Sequence, residues 1–289
     1  MARRTQDGFI LVSVLGIMAL LAALVGAASL LVRSAVDGAR TSTDDLTLSA
    51  LVRAGVELAA YQIYVLKLPT ESINAQQVRF DAGVVTLFVA DESSKIDLNG
   101  ASSEFLTAAY QASGLSTLSG RSFAARVVDW RDENDQPSQG GAEAADYASA
   151  GLDYRPQNDA FKSVDDLQWL LGLTMPQANA LARKFTVHNP DGKVNVLGAT
   201  RDVLLSLPEI TAPTVDQILT IRGRRANTAA QDVLALLQKQ KDFVKVDAGP
   251  SFRIRVEARA GDVSFRSADV VITLSQNSEN LYYVLEWEE

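Results

Sequence analysis

Residues 129–146 contain a cluster of acidic side chains, and this is the part of the sequence best suited to bind a ligand. The carboxylates are Asp129, Asp132, Glu133, Asp135, Glu143 and Asp146. Calcium binds about six to eight hard oxygens and orders loops whose carboxylates otherwise repel one another. The spacing lacks the D-x-D-x-D-G register of an EF-hand. A solvated acidic loop therefore remains the alternative interpretation from composition alone.

The rest of the composition excludes several kinds of site. The 289 residues include no Cys, which excludes disulfides, thiolate zinc sites and Cys nucleophiles. The single His188 lies beside the turn 189–192, and we expect it at the surface without a partner ligand. Trp130 next to Asp129 suggests a sugar-binding carboxylate site, but the pattern favours a core anchor at a helix end. A membrane-anchored hydrolase is therefore a minor alternative.

Residues 205–225 resemble a helix-hairpin-helix unit, which in some proteins binds DNA through backbone N–H groups on phosphate. The hairpin here has Glu209 and Pro213 in place of the usual glycines, and Pro213 lacks an N–H. The net charge of −8 also disfavours nucleic acid as a partner. We therefore expect a structural helical element, and a membrane-anchored periplasmic DNA-binding protein is the alternative function.

The longest apolar stretch runs from Phe9 to Val32 without a charged residue. As a helix it spans about 36 Å, enough to cross the hydrocarbon core of a membrane. Arg3 and Arg4 precede it, which predicts a cytoplasmic N-terminus and a periplasmic remainder. A signal peptide cut near Ala28 and an ordinary membrane anchor are the competing interpretations.

The junction Gly8-Phe9 after a short basic segment resembles the type III signal of type IV prepilins. That resemblance implies that a prepilin peptidase removes residues 1–8 and methylates Phe9, while the apolar stretch is kept. Most prepilins have Glu at the fifth mature position, where this sequence has Ser13. The missing carboxylate resembles a subunit at a filament tip, which has no predecessor to pair with.

The remaining sequence predicts an α+β fold with a helical insertion. Helical spacing continues to about Leu66, so residues 9–66 predict one long helix, half in the membrane and half amphipathic. Alternating runs predict a hairpin at 78–90 and strands over 251–259, 263–274 and 282–287. Helical patterns lie between them, near 103–114, 119–131, 163–172, 175–186, 200–207, 213–222 and 228–240. Strands on both sides of a helical block predict a pilin-like antiparallel sheet with an inserted all-α domain.

The predicted organisation has five parts. They are a leader over 1–8, a transmembrane helix over 9–32, a first pilin-like α/β part over 33–100, the inserted α-domain over 101–242 and a second pilin-like part over 243–289.

Several motifs in series extend the pilin likeness to a particular family. They are 94–99 (SKIDLN), 128–135 (VDWRDEND), 141–143 (GAE), 153–167 (DYRPQNDAFKSVDDL) and 193–196 (KVNV). In this order, and with Gly8-Phe9 and Ser13, they are similar to the K-type minor pseudopilin of the type II secretion system. The sequence departs from the family pattern only over 197–200.

This resemblance implies a non-enzymatic subunit at the tip of the pseudopilus, which initiates assembly and supports protein export across the outer membrane. The expected partners are the other minor pseudopilins, prepilin peptidase and the inner-membrane assembly platform. The expected location is the inner membrane, with a single span and a periplasmic head. The resemblance also implies calcium in the head, for which the candidate ligands in descending order are Asp132, Asp135, Glu143, Asp146 and Glu133.

Overall fold

The computed structural model describes residues 6–224, 228–261, 264–277 and 279–289, and of residues 6–10 and 31–43 it describes only the backbone. Within these residues the chain forms nine α-helices and nine strands. It divides into two compact units. The first contains the N-terminal helix up to Glu57 with residues 77–86 and 256–268, and the second contains 58–76, 87–255 and 269–289.

The first helix, α1, runs from Gln6 to Ala60. No Pro interrupts the sequence before Pro69, so nothing breaks the backbone hydrogen bonds of this long helix. Its segment Leu11–Leu30 has a mean hydropathy of 2.5 and no buried residues. Farther along, Leu48, Leu51 and Val52 are buried at helical spacing, so this part of α1 is amphipathic.

After Ala60 the helix ends irregularly. Tyr61–Val65 forms one π-helical turn, and Lys67 adopts a left-handed conformation with φ of 54°. A short helix, α2, follows over Thr70–Ile73. The buried Tyr64 hydroxyl donates a hydrogen bond to the carbonyl oxygen of Pro250, 2.9 Å away. This bond fixes the end of the long helix within the second unit.

Five strands form the main sheet in the order β1-β2-β7-β8-β9. Their bounds are β1 Gln76–Phe80, β2 Gly83–Asp91, β7 Ser251–Ala260, β8 Ser264–Leu274 and β9 Tyr282–Glu288. β8 and β9 are antiparallel, with a bulge between Val271 and Ile272. β2 lies beside β7, although the whole helical block separates them in the sequence, and β9 is an edge strand.

In the first unit, side chains connect α1 to the strands. Arg266 of β8 contacts Asp45 at 3.4 Å and donates a hydrogen bond to Ser49. Gly83, at the start of β2, has no room for a side chain because a Cβ there would lie 2.2 Å from the carbonyl oxygen of Arg259 and 2.8 Å from Leu51 Cδ1. Glycine therefore permits the close approach of helix and strands.

The second unit contains the helical block. Its helices are α3 Ser103–Gln111, α4 Gly120–Arg131, α5 Ala144–Ser149, α6 Met175–Ala182, α7 Arg201–Leu204, α8 Ala212–Gly223 and α9 Ala229–Leu236. Ser102 and Ser119 cap α3 and α4 by accepting hydrogen bonds from backbone N–H groups. The core between these helices includes Tyr110 and Phe123, whose rings stack with their centroids 4.8 Å apart.

Two pairs of very short parallel strands brace the helical block. β3 Ile96–Asp97 pairs with β4 Phe185–Thr186, and β5 Val194–Asn195 pairs with β6 Val244–Lys245. The first pair is fully buried. Because the two strands of each pair are far apart in sequence, these pairs fix the path of the loops between helices.

The α+β fold with an N-terminal apolar helix, an antiparallel sheet and many helices confirms the predicted fold class. The long helix and the predicted hairpin and C-terminal strands are present, and the helices begin within one or two residues of most predicted starts. The helical segment predicted near 163–172 is present as the 3₁₀ helix Val164–Trp169. The predicted domain boundaries stay a prediction.

Candidate functional site

The predicted processing site lies at the start of α1. The backbone of Gly8 and Phe9 is helical, while their side chains and residues 1–5 lie outside the described residues. Between Leu11 and Leu30 the apolar side chains are exposed on every side of the helix, and Leu20, for example, is 64% exposed. A fully exposed apolar helix of this length is stable only in lipid or against other apolar helices. It fits a single-pass membrane anchor.

The acidic loop begins where α4 ends and closes where α5 begins. Asp129 is fully buried at its base and accepts hydrogen bonds from the backbone N–H groups of Ser138, at 3.1 Å, and Ala142, at 2.8 Å. A Cβ on Gly141 would lie 1.8 Å from Asp129 Oδ2, so glycine is required there. Asp129 thus organises the loop backbone, a role that the predicted ligand set did not include.

Glu143 is the unusual carboxylate of this loop. It is only 2% exposed, and none of the ion pairs among the described residues includes its carboxylate, which faces the first turn of α5 and Asp135. Burial and the negative charges of Asp129, Asp132 and Asp135 raise its pKa to about 7. A buried, unpaired carboxylate close to other carboxylates is costly unless a proton or a cation compensates its charge.

The other predicted ligands fall into two groups. Asp132 and Asp135 are close enough to Glu143 to influence its charge. Asp146 instead accepts a hydrogen bond from the backbone N–H of Glu143 at 2.9 Å and caps α5. Glu133 is exposed and is not among the residues that raise the pKa of Glu143.

The donor chemistry of this loop fits a hard divalent cation, because it combines unpaired and solvent-facing carboxylate oxygens. In residues 6–224 and the described segments after them, no three His, Asp or Glu side chains are arranged as a metal-binding group. Calcium therefore stays a prediction.

Trp130 lies in the core and presents no surface to a sugar. It is 2% exposed, and its ring stacks on Phe161 with the centroids 5.6 Å apart. This confirms the interpretation of the Asp-Trp pair as a core anchor at a helix end.

The expectation for His188 was wrong. It is half-buried, and its Nε2 lies 2.8 Å from Glu286 Oε1 on β9. Glu286 Oε2 lies 2.7 Å from Arg253 Nη2, and Arg253 Nε lies 2.9 Å from Glu92 Oε1. Lys95 also pairs with the fully buried Glu92, at 3.1 Å. Sequence distance explains the error, because the partner of His188 is on the last strand.

In this network of ion pairs, each carboxylate is balanced by a neighbouring cationic side chain. The hydrogen bond from His188, followed by that from Arg253, holds the pKa of Glu286 at about 2 despite its burial. Burial raises the pKa of Glu92, but Lys95 and Arg253 outweigh it and the net shift is downward. The network joins β9 and β7 to the loop that follows β4, so it stabilises the helical block against the last strand.

The helix-hairpin-helix-like segment is part of the core of the second unit. Leu207 and Ile218 are buried, and Glu209 takes a left-handed conformation in the turn. Arg201 pairs with Asp216, and Arg222 Nη1 donates to the carbonyl oxygen of Ala199 at 2.6 Å. These contacts support the structural interpretation of this segment. Arg225, the last residue of this segment, lies outside the described residues.

Comparison with known proteins supports the resemblance to the K-type family. Residues 87–190 match the model of a family described as type II secretion system (T2SS), protein K. No curated protein matches the sequence. A chain in the crystal structure of the GspK-GspI-GspJ complex from the enterotoxigenic Escherichia coli type 2 secretion system is similar in fold. The TM-score is 0.58 at 13% identity, and the match covers 89% of this chain and 98% of that one. The predicted resemblance to a type II secretion minor pseudopilin of the K type is thereby confirmed.

Proposed function

We propose that this chain is a minor pseudopilin at the tip of the type II secretion pseudopilus, where it initiates assembly and supports protein export across the outer membrane. The observation that carries the proposal is the match of residues 87–190 to the protein K family in a chain that also has an exposed apolar helix over Leu11–Leu30. The apolar helix anchors the subunit in the inner membrane with its head in the periplasm. The subunit acts by assembly and not by catalysis.

Two features support a position at the tip. Ser13 occupies the fifth position after the Gly8-Phe9 junction, so the subunit lacks a carboxylate to neutralise the N-terminal amine of a preceding neighbour. The second is the helical block from α3 to α9, which adds bulk to the head. A subunit of that size fits the end of a filament better than a tightly packed shaft.

Maturation by prepilin peptidase is the first part of the proposal to test. The protein is recovered from membranes of cells with and without the peptidase, and its intact mass and N-terminus are determined. We expect loss of residues 1–8 and a methylated Phe9 only when the peptidase is present. An uncut chain, or a cut near Ala28, would contradict the pseudopilin assignment.

The tip role requires sister subunits and the inner-membrane assembly platform as partners. The similar crystal structure is of a complex of three proteins, which supports association with two other minor pseudopilins. We expect the mature chain, extracted in mild detergent, to co-purify with both sister subunits in equal amounts. Recovery of the processed chain with major pseudopilin alone would place it in the shaft and refute the tip position.

We further infer that the acidic loop holds calcium. Glu143, Asp132 and Asp135 would contribute the ligands, with Asp146 and Glu133 as the remaining candidates. The ion would supply the positive charge that the buried, unpaired Glu143 lacks. Asp129 would keep the loop backbone in place through its hydrogen bonds to Ser138 and Ala142.

A further inference from the structure

The last strand, β9, buries little of its own apolar surface. It is an edge strand, and its neighbour in the main sheet is β8. Tyr283, Val284 and Leu285 are 44–47% exposed, and Trp287 is 39% exposed. Segments that bury little apolar surface open locally at a low cost in free energy. A side-chain contact that anchors β9 therefore contributes a large share of its local stability.

Glu286 of β9 provides such an anchor. Its Oε1 lies 2.8 Å from His188 Nε2, and its Oε2 lies 2.7 Å from Arg253 Nη2. The side chains of His188 and Glu286 are 11% and 20% exposed, so solvent screens their interaction less than that of a surface pair. The contact with Arg253 is permanent, because a guanidinium stays charged in proteins. The charge of His188, in contrast, depends on a proton.

The charged groups around His188 favour its positive form. Glu286 contacts the ring directly, and the buried Asp97 of β3 is close enough to interact with the charge of the ring. The charged groups behind Glu286 are Arg253, Glu92 and Lys95. A proton on His188 therefore adds attraction toward two carboxylates, while the guanidinium of Arg253 binds the other oxygen of Glu286.

The backbone around His188 is held by contacts that do not depend on its charge. His188 N donates a hydrogen bond to Thr186 Oγ1 at 3.1 Å, and Thr186 donates in turn to Glu92. Asn189 N donates to Asp97 Oδ2 at 2.6 Å. Because these bonds fix the loop after β4, the proton changes the strength of the contact with Glu286 more than its geometry.

We propose that the protonation of His188 controls how often β9 opens from the edge of the sheet: the imidazolium forms an ion pair with Glu286, whereas the neutral ring leaves only a hydrogen bond. An imidazole ordinarily changes its charge near about pH 6.5, and the sequence contains no second His. Because β9 covers one edge of β8, each opening exposes that edge to another strand. This inference does not depend on the proposed function, because it rests only on the contacts of His188 and the exposure of β9.

The test is hydrogen exchange of the full chain in lipid nanodiscs, followed by mass spectrometry at about pH 5.5 and about pH 8. The rates are corrected for the intrinsic pH dependence of amide exchange. We expect the protection of the amides in Tyr282–Glu288 to be about five- to tenfold lower at the higher pH, the size expected when a partly buried ion pair becomes a hydrogen bond. Equal protection at both pH values would overturn the proposal.

Two variants separate His188 from Glu143, whose pKa of about 7 lies in the same range. His188→Gln keeps a hydrogen-bond donor but cannot gain a charge, so the protection of β9 should stay at its high-pH level at both pH values. Glu143→Gln should leave the pH dependence of β9 unchanged. A pH dependence that survives His188→Gln, or one that disappears in Glu143→Gln, would assign the opening of β9 to another group and refute the role of His188.

A titration of the unchanged chain covers the case in which His188→Gln does not fold. Because His188 is the only His in the sequence, a chain without a histidine tag and labelled with ring-¹³C histidine gives one imidazole signal by NMR. We expect its chemical shift and the protection of β9 to change with the same midpoint. Midpoints that differ by more than about one pH unit would contradict the proposal.

Discussion

At the scale of single residues, the carboxylate of Glu143 makes stability depend on pH. Its pKa is about 7 in the folded protein and near 4.5 for an ordinary Glu. Between these values the unfolded chain has lost the proton and the folded protein keeps it, so stability decreases as pH rises through this window. In EDTA, we expect urea unfolding to show this decrease from pH 5 to pH 8, and Glu143→Gln to reduce it. An identical pH dependence in the variant would show that Glu143 is not the responsible group.

Calcium should reverse that loss if it binds the loop. At pH 8, calcium at a hundredfold above its dissociation constant should raise the free energy of unfolding of the full chain by about 2.7 kcal/mol, and the unfolding temperature with it. At pH 5 the gain should be smaller, because the Glu143 proton competes with the ion. Differential scanning calorimetry with and without calcium measures the gain in stability at each pH.

Matched variants identify the carboxylates that carry this effect. Glu143→Gln should lose most of the gain, and Asp153→Asn, outside the loop, should keep it. A gain of the same size in Glu143→Gln would place the ion elsewhere.

Glu286 makes stability depend on pH in the opposite direction from Glu143. Its pKa is about 2 in the folded protein, below the ordinary Glu value of 4.5. Its contribution is therefore fully present above about pH 4.5 and is lost as pH falls through 2. At pH 7, Glu286→Gln should lower the free energy of unfolding by about 1–3 kcal/mol, since it removes charged partners from His188 and Arg253. The difference should shrink toward pH 2 in denaturant titrations. The neighbouring exposed Glu288→Gln should change stability by less than about 0.5 kcal/mol.

The residue types predicted the acidic loop, but they did not predict which of its carboxylates are buried and which cap a helix. Composition alone brought Glu143 and Asp146 into one predicted ligand set. The structure buries the first and uses the second as a helix cap. The partner of His188 was not predictable, because Glu286 comes next to it only through the pairing of distant strands. Burial and long-range pairing are tertiary properties that local spacing does not encode.

At the scale of elements, the contact between β2, β7 and α1 depends on Gly83. An added methyl group would meet Arg259 and Leu51 at distances that require the backbone to move. Gly83→Ala should therefore destabilise the protein by about 1–3 kcal/mol. Gly223→Ala is the matched control, because nothing lies within 4 Å of a Cβ there and its backbone is helical. Circular dichroism during thermal unfolding measures both, and equal midpoints would contradict this account of the contact.

Helix starts were predictable where a capping residue marks them. Ser119 and Thr211 precede helices that begin at the next residue, and Ser163 and Asp166 form a capping box at the start of Val164–Trp169. The two-residue parallel pairs were not predictable, because a strand such as Val194–Asn195 is too short to show alternation. The 3₁₀ segment Val164–Trp169 has an α-like start but ends within two turns, and propensity does not distinguish the two.

At the scale of the whole molecule, the apolar segment Leu11–Leu30 of α1 fits a single-pass membrane anchor. Leu20→Arg places a charge in the middle of the exposed apolar segment and should cost about 2.5–3.5 kcal/mol of membrane insertion. We expect more of this variant in the alkaline carbonate supernatant of isolated membranes. Leu46→Arg, also exposed but beyond the apolar segment, is the control and should stay in the pellet. Equal extraction of both variants would argue against anchoring by this segment.

The fold class followed from the order of strand and helix patterns, since strands before and after a helical block predict a sheet with an insertion. The strand order did not follow, because the alternation in Ser251–Ala260 shows that one face is buried but not which strand lies beside it.

The pairing of β2 with β7 also affects the order in which parts of the chain can fold. A chain that emerges from its N-terminal side exposes β2 early and β7 only after residues 92–250 have followed. During that interval the edge of β2 has no neighbour on the β7 side, and an unpaired edge recruits foreign strands. Because such non-local pairing is slow, we expect the helical block to acquire structure before the sheet closes. A ribosome- or translocon-stalled chain ending before β7 should therefore be sensitive to proteases in β2 while the helical block is already protected.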